Sequence, residues 1–313
     1  MAREMKAGVI RQFGGPEVVE IEDLPVPQPK AGEVLVRVVA AGVGPWDALI
    51  REDQGVVASD FPITLGSDIA GTVEALGAGV TQFTKGDAVY GCTNPNFIGG
   101  YAEFAIASAG MIAPKPKTLD FIQAASAPVV AVTPRQMIFE YARVSTGQTV
   151  LIQGAAGNVG AYAVQLAKDA GLKVIAAASG KDAESVRGLG ADVVVDHKKQ
   201  KFEDVAHKVD AVLDMVGGDV LDRSMNVLKP DGIAVTVFSG PTEELKRKYG
   251  SRIVFFLVEV TTERLNRITA MFDAGKLKTD VGTVLPLSEA RKAHEMLAGA
   301  PHARGKIVLK VGL

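Results

Sequence analysis

A glycine-rich stretch near the middle of the chain has the residue types that hold a phosphate group on backbone amides. It is LIQGAAGNVGAYAVQLAKDAG, residues 151–171, and it continues the apolar run QTVLIQ. Small residues let a ligand approach the main chain, and the free N–H groups at a helix N-terminus favour negative charge. The stretch therefore predicts a strand, a turn and a helix that bind the pyrophosphate of a dinucleotide.

The small residues of this turn have distinct expected roles in such a fold. Gly157 lets the pyrophosphate approach the backbone, and Gly160 lets the helix lie close to the sheet. The spacing is GxxGxxG rather than GxGxxG, so a glycine-rich turn without a ligand is the alternative. The residues expected to bind the cofactor here are Gly154, Ala155, Ala156, Gly157, Asn158, Val159 and Gly160.

The end of the next strand should decide between NAD and NADP. That strand ends VIAAASGKD, and Ser179, Gly180 and Lys181 offer a hydroxyl, an N–H and a cation, which suit a 2′-phosphate. We therefore predict NADP(H). Asp182 and Glu184 are expected to face solvent, although a small error in register would bring a carboxylate to the ribose and favour NAD. His197, after the third strand, either flanks the adenine or its phosphate or lies on the surface.

The sequence pattern differs between the two parts of the chain that must position these elements. Short β runs separated by glycine and proline extend to Pro116 and predict a small antiparallel barrel or sandwich. Strands and helices then alternate, which predicts a parallel doubly wound α/β sheet. The strand GKIVLKV near the C-terminus should join a sheet already formed. A length of 313 residues fits two domains.

Charge and cysteine content exclude several classes of function. The formal net charge of −2 gives no electrostatic basis for binding nucleic acid. Cys92 is the only cysteine, which fits a reducing compartment. The sequence has neither a signal peptide nor an apolar run long enough to span a membrane. We expect a cytoplasmic protein with no nucleic-acid or membrane partner.

The chain resembles a known family in several segments, which follow one another in the same order as in that family. They are MKAGVIRQFGGPEVVEIEDLPVPQPKAGEVLVRVVAAGV, PITLGSDIAGTVEALGAGVTQFTKGDAVYG, GGYAEFAIA, GAAGNVG, PLSEARKAHEMLAG and GKIVLKV. With them the chain resembles the medium-chain dehydrogenase/reductase superfamily, in its zinc-independent quinone reductase branch with zeta-crystallin and the alkenal reductases. The resemblance implies a GroES-like β-barrel domain, residues 1–120 completed by 258–313, and a Rossmann domain, residues 121–257, with the active site in the cleft between them.

The resemblance also bears on metal binding. Gly44 and Ser67 stand where zinc-dependent members carry a cysteine and a histidine, and the four-cysteine lobe is missing. The four histidines offer no cluster that zinc would need, and His294 and His302 are expected at the surface. We predict no metal site.

Four residues depart from the family pattern on the substrate side. Gly44 replaces an asparagine and Leu49 a tyrosine, which removes polar groups expected near the substrate carbonyl. Pro134 and Arg135 replace a small and an aromatic residue. Pro134 is interpreted as a helix start, whereas Arg135 either follows it without further role or contacts an acidic substrate or the cofactor phosphates.

The sequence identifies no catalytic residue. Each residue expected in the substrate cleft also has a structural interpretation. Asp47 and Asp68 are interpreted as an N-cap and a structural carboxylate rather than proton donors. Trp46 either walls the substrate pocket or packs in the core. The substrate-cleft candidates are Gly44, Trp46, Asp47, Ser67 and Arg135.

The resemblance implies contacts at the nicotinamide end and a dimer. The residues concerned are Thr133, Val216, Phe238, Ser239, Phe255, Phe256 and Leu257. For the phenylalanines, strand core is the alternative. The segment RIVFFLVEV is expected to meet its copy across a two-fold axis in a homodimer.

These observations together predict an NADPH-dependent, zinc-independent reductase that transfers hydride to quinones or α,β-unsaturated carbonyl compounds. Its partner is then a small electrophilic carbonyl or quinone substrate. Two alternatives are an NADP-linked dehydrogenase of simple alcohols and ketones, and a non-catalytic, crystallin-like protein that senses NADPH. The lack of a Lewis acid disfavours the first alternative, and the missing asparagine and tyrosine favour the second.

Overall fold

The protein is described by a computed structural model that covers residues 3–54, 60–238 and 240–312. It forms two compact units. The first comprises Met1–Val129, Val260–Gly275 and Thr279–Leu313, and the second comprises Val130–Glu259 and Lys276–Lys278. Residues 121–129 pack with the first unit, and the domain boundaries at residues 120 and 257 stay a prediction.

The strands are numbered in chain order. They are β1 (Glu4–Ile10), β2 (Glu20–Pro25), β3 (Glu33–Val43), β4 (Ile63–Thr64), β5 (Asp68–Leu76), β6 (Ala88–Cys92), β7 (Phe104–Ser108), β8 (Ile112–Pro114), β9 (Thr149–Gln153), β10 (Lys173–Ala178), β11 (Val193–Asp196), β12 (Val209–Asp214), β13 (Leu228–Thr236), β14 (Ile253–Phe255), β15 (Val281–Pro286) and β16 (Lys306–Lys310).

The α-helices are numbered in the same way. They are α1 (Pro45–Arg51), α2 (Phe121–Ala125), α3 (Pro128–Arg135), α4 (Asn158–Asp169), α5 (Ala183–Gly188), α6 (Gly218–Ser224), α7 (Glu243–Tyr249), α8 (Thr262–Asp273) and α9 (Ala290–Leu297). None of the helices in the described ranges is long and apolar enough to cross a membrane.

The first unit is built around the long strand β3. Its sequence EVLVRVVAAGV is almost continuously apolar, and ten of its eleven residues are buried or half-buried. β3 pairs with β5, β7 and β16, and the sheet runs in the order β15-β16-β3-β5-β6-β8. The C-terminal strand β16 lies antiparallel to β3, with Ile307 opposite Val43, as the sequence predicted. Strands β4, β8 and β15 were missed, since the first two are very short.

The second unit contains the predicted doubly wound sheet. Its strands are all parallel and run in the order β11-β10-β9-β12-β13-β14. The chain turns outward from β9 in both directions, so the point where the strand order reverses lies between β9 and β12. Open sheets of this kind bind ligands beyond the carboxyl ends of the strands at that point. The predicted α/β fold class is therefore confirmed in both of its parts.

The interpretation of Pro134 as a helix start is wrong. Helix α3 begins at Pro128, and Pro134 lies inside it. A proline there cannot donate its backbone hydrogen bond. The chain continues as a π-helix over Gln136–Ala142. This helical segment ends at Arg143, whose φ of +52° is left-handed. The proline thus stands two residues before the π-helix rather than at a helix N-terminus.

Candidate coenzyme and substrate sites

The glycine turn of the second unit is an open cradle of backbone at the carboxyl end of β9. Gly154 has a φ of +74°, a conformation that favours glycine. The turn is fixed by two backbone bonds: the Ala155 N–H donates to Ala177 O at 3.1 Å, and the Gly157 N–H donates to Gly154 O at 3.0 Å. Helix α4 begins directly after Gly157 and ends before Gly171, as predicted.

The glycines of the turn differ in what a side chain would meet. A Cβ on Gly160 would lie 2.2 Å from Gly154 O, so only glycine allows α4 to approach the strand end this closely. A Cβ on Gly157 would meet only Gly154 O, at 3.4 Å, which is ordinary contact. No other atom of the described residues lies within 4 Å of that Cβ, which fits the expected role of Gly157 in admitting a pyrophosphate.

The N-terminus of α4 is electrostatically suited to an anion. No side chain caps it, and its first turn carries no acidic residue. The first N–H groups of a helix lack partners within the helix, and the helix dipole adds positive potential there. Of the remaining predicted residues, Ala155 is buried, whereas Ala156, Asn158 and Val159 are half-buried. The residues present therefore fit the pyrophosphate of a dinucleotide.

The turn after β12 lies against this cradle and contains Val216. A Cβ on Gly154 would be 3.3 Å from Cγ2 of Val216. The fully buried Asp214 holds the turn, since its carboxylate accepts bonds from Thr236 Oγ1 at 2.7 Å and from the N–H groups of Val216 and Gly217 at 3.1 Å. Sequence reasoning missed Asp214, although an aspartate that ends an apolar strand was a signal for it.

The ribose end of the site differs from the expectation. Ser179 donates from Oγ to Asp182 Oδ2 at 2.5 Å, so Asp182 does not simply face solvent. Asp196, at the end of β11, approaches Gly180, because a Cβ on Gly180 would lie 2.4 Å from Asp196 Oδ2. Strand pairing thus brings a carboxylate of the neighbouring strand to the end of β10, which the sequence of β10 alone did not indicate. The cation Lys181 is exposed, as is His197.

The predicted nicotinamide contacts differ in exposure. Thr133 and Phe256 are buried, and the Phe256 ring stacks on Tyr141 with centroids 4.3 Å apart. Phe238 and Leu257 are 68% and 72% exposed, and Phe255 is 38% exposed. Ser239 lies outside the described residues. Phe256, which directly follows β14, is therefore a core residue, while Phe238 is accessible to a ligand.

Arg135 is engaged within its own helical segment. Its Nη1 lies 2.9 Å from Glu140 Oε1, and its guanidinium lies 5.7 Å from the Phe139 ring centroid. The side chain is 14% exposed. The contact with Glu140 neutralises much of the charge that an acidic substrate or phosphate would need.

In the first unit, the structure brings Gly44, Trp46 and Ser67 together. The Trp46 Nε1–H donates to Ser67 Oγ at 3.0 Å. A Cβ on Gly44 would lie 2.3 Å from Cζ2 of the indole, so the ring occupies the space that a side chain at position 44 would need. The departure from asparagine at Gly44 is thus explained by Trp46. Leu49, the second departure, is exposed.

A buried ion pair also contacts the indole. Lys306 Nζ lies 3.3 Å from Asp68 Oδ2 and 4.3 Å from the Trp46 ring centroid, where the ammonium gains a cation–π contact. Burial raises the pKa of Asp68, and the Lys306 ammonium opposes that shift. Cys92 Sγ donates to the same carboxylate at 3.3 Å. These contacts fit the structural role predicted for Asp68. No sequence pattern singled out Lys306 as its partner.

Asp47 is not an N-cap, because the capping position of α1 is Gly44. Asp47 stands in the first turn, and its Oδ2 accepts the Gly44 N–H at 2.8 Å and the Tyr101 hydroxyl at 2.7 Å. The side chain is fully buried, and Oδ1 has no hydrogen-bond partner in the described structure. Burial raises the pKa of this carboxyl to about 7, against the effect of both hydrogen bonds.

The surface position expected for His294 is wrong. It is fully buried, and its Nδ1 accepts from Arg51 Nη1 at 2.8 Å. Burial and the Arg51 charge lower its pKa to about 3, so the imidazole is neutral. His302 is exposed, as expected. Among residues 3–54, 60–238 and 240–312, no group of three histidine, cysteine or acidic residues is placed to hold a metal ion.

Comparison with known protein families agrees with the geometry of both units. Residues 30–117 match the alcohol dehydrogenase GroES-like domain, and residues 189–309 match a family described as zinc-binding dehydrogenase. Residues 121–237 also match the glutamate/leucine/phenylalanine/valine dehydrogenases.

Individual proteins match almost the full chain. The quinone oxidoreductase of Homo sapiens is 33% identical over 322 residues, with 97% of each chain covered. The chloroplastic NADPH-dependent alkenal/one oxidoreductase of Arabidopsis thaliana is 33% identical over 319 residues, with 98% of this chain and 80% of the relative covered. The quinone oxidoreductase structure from Coxiella burnetii is 36% identical and superimposes with a TM-score of 0.90, covering 99% of this chain and 100% of that one.

The chain belongs to the medium-chain dehydrogenase/reductase superfamily, a family of pyridine-nucleotide-dependent oxidoreductases. This confirms the family and the enzyme class predicted from the sequence.

Alanine substitutions in the glycine turn should separate folding from ligand binding. We expect Gly157→Ala to cost at most about 1 kcal/mol of stability, as for an alanine at an N-cap, but to weaken NADPH binding at least tenfold. Gly160→Ala should cost about 1 to 3 kcal/mol, because its Cβ meets backbone. Thermal unfolding and NADPH titration measure the two effects. Equal loss of stability in both variants would contradict this assignment.

The buried Asp47 carboxyl should make stability fall as pH rises. Its pKa is about 7 in the folded protein and about 3.9 in an unfolded chain, so the folded state binds the extra proton between these values. Unfolding free energy then decreases by up to about 1.4 kcal/mol per pH unit across that window. Asp47→Asn stays neutral and should lack this slope.

Urea unfolding of both forms at pH 5 and pH 8 measures the difference. His294 and the surface groups contribute equally in both proteins, so they cancel in the comparison. Parallel stability profiles for the wild type and Asp47→Asn would rule out the raised pKa.

Proposed function

We propose that this protein is an NADPH-dependent, zinc-independent reductase that transfers hydride to quinones or α,β-unsaturated carbonyl compounds. The observation that carries the proposal is the backbone cradle at Gly157, which is open to a pyrophosphate at the switch point of the parallel sheet. The names of the human, Arabidopsis and Coxiella relatives support the reaction class. When bound, the reduced nicotinamide supplies the hydride.

The residues of the second unit would bind and orient the coenzyme. The amides at the start of α4 would hold the pyrophosphate, and Val216 would contact the coenzyme from the turn that Asp214 fixes. The exposed Phe238 and, at the next position, Ser239 are proposed at the nicotinamide end with Thr133. Lys181 would attract the 2′-phosphate, which the NADPH dependence named for the Arabidopsis relative supports.

The first unit would provide the substrate surface. The Trp46 indole N–H is already bonded to Ser67, so the half-buried ring offers apolar surface to a substrate rather than a donor. The same indole fills the space beside Gly44, the position at which zinc-dependent members of the superfamily carry a cysteine, and Ser67 accepts a bond from it. This packing supports a reaction without zinc. Asp47 would hold the N-terminus of α1 and so position Trp46 one residue away.

The activity is tested by following NADPH oxidation with quinones, alkenals and saturated ketones, with and without a zinc chelator. We expect oxidation with quinones or enones that the chelator does not change. Trp46→Leu should raise KM for the acceptor several-fold at unchanged NADPH affinity. Turnover of saturated ketones alone, lost on chelation, would favour an alcohol dehydrogenase, and tight NADPH binding without turnover of any acceptor would favour a sensor.

We also propose a homodimer that forms through β14. This strand lies at one end of the six-stranded sheet, and Phe255 and Leu257 expose apolar side chains there. An exposed apolar sheet edge favours pairing with a second copy.

A cytoplasmic location is proposed as well, since the single cysteine, Cys92, is a buried free thiol.

The dimer is tested by sedimentation at micromolar concentration. We expect a mass twice the chain mass of 32.8 kDa, and a monomer for Leu257→Asp, because the charge would be buried in the interface. A monomeric wild type would contradict the proposal.

A further inference from the structure

The carboxyl ends of β10 and β11 bring opposite charges to the ribose end of the coenzyme site. Parallel pairing sets Ala178 beside Asp196, and the segment that follows β10 continues through Ser179, Gly180 and Lys181. The Lys181 ammonium is the attractive charge for a 2′-phosphate. The Asp196 carboxylate stands on the neighbouring strand β11. The sequence pattern instead places the residue that distinguishes NAD from NADP at the end of β10.

The two carboxylate oxygens of Asp196 have different neighbours. Its Oδ1 accepts the Lys198 N–H at 3.1 Å, which shapes the turn after β11. Its Oδ2 lies 2.4 Å from the position of a Cβ on Gly180, so it approaches the backbone that we propose to receive the phosphate. The nearest ammonium, Lys199 Nζ, is 3.8 Å away and 82% exposed, so solvent screens most of its effect.

A second carboxylate reinforces this one. Asp182 Oδ2 accepts the Ser179 hydroxyl at 2.5 Å, so that the hydroxyl is directed at a carboxylate and not toward a ligand. A sugar phosphate carries a charge between −1.5 and −2 at pH 7, and carboxylates repel it. A ribose 2′-hydroxyl, in contrast, donates a hydrogen bond to a carboxylate.

We propose that Asp196 is a specificity-determining residue that limits the preference of this protein for NADPH over NADH. Its Oδ2 accepts the 2′-hydroxyl of NADH and repels the 2′-phosphate of NADPH, while Lys181 acts in the opposite direction. This inference rests on the proposed coenzyme function of the second unit. The ratio of the NADH and NADPH dissociation constants therefore depends on the balance between repulsion of the phosphate by Asp196 and its attraction by Lys181.

The test is the dissociation constant of NADPH and of NADH, measured by titration of the purified full chain without acceptor. Asp196→Asn keeps the oxygen that accepts the Lys198 N–H but removes the charge. We expect it to raise the ratio Kd(NADH)/Kd(NADPH) at least tenfold, and Lys181→Ala to lower it at least tenfold. Asp196→Ser, whose hydroxyl also accepts from that N–H, serves if the asparagine variant is unstable.

A matched control removes the same charge elsewhere on the second unit. Asp231 is exposed near the amino end of β13, whereas the proposed site lies at the carboxyl ends of the parallel strands, and Asp231→Asn should change the ratio less than twofold. An unchanged ratio in both Asp196 variants, with wild-type binding intact, would overturn the specificity role. Failure of the wild type to bind either coenzyme would instead overturn the proposed function.

Discussion

The close approach of helix α4 to the end of β9 is the constraint on which the second unit depends. A single methyl group at Gly160 would meet the carbonyl oxygen of Gly154 at 2.2 Å, so the contact exists only because that position has no side chain. The approach places the N-terminus of α4 over the sheet where the strand order reverses. The turn held by Asp214 packs against Gly154, so the central part of the site is made of main chain.

Side chains determine the properties of two further places, the proposed ribose end in the second unit and the start of α1 in the first unit. At the ribose end, charged groups of both signs stand within a few residues of one another. In the first unit, the polar groups near the N-terminus of α1 bond chiefly to each other: Trp46 with Ser67, and Lys306 with Asp68. The space that would receive a metal ligand at position 44 holds an indole ring instead, and this accounts for a glycine at that position.

The sequence predicted the parts of the fold that depend on local pattern. Alternating apolar runs identified each strand of the parallel sheet, and the glycines located the turn, because short-range spacing encodes both. The errors arose from contacts between distant residues. His294 was expected at the surface because its helix was interpreted as a surface helix, but Arg51, 243 positions earlier, is buried with it. The approach of Asp196 to Gly180 likewise depends on strand pairing, and Lys306 could be linked to Asp68 only once β16 was placed beside β3.

The indole that packs against Gly44 is also the only tryptophan in the chain. Every photon of tryptophan emission therefore originates beside the Lys306 ammonium, 4.3 Å from the ring centroid. The emission wavelength of an indole responds to the electric field across it, so this protein contains a natural optical reporter at one known position. Small rearrangements around α1 become visible in solution without any label.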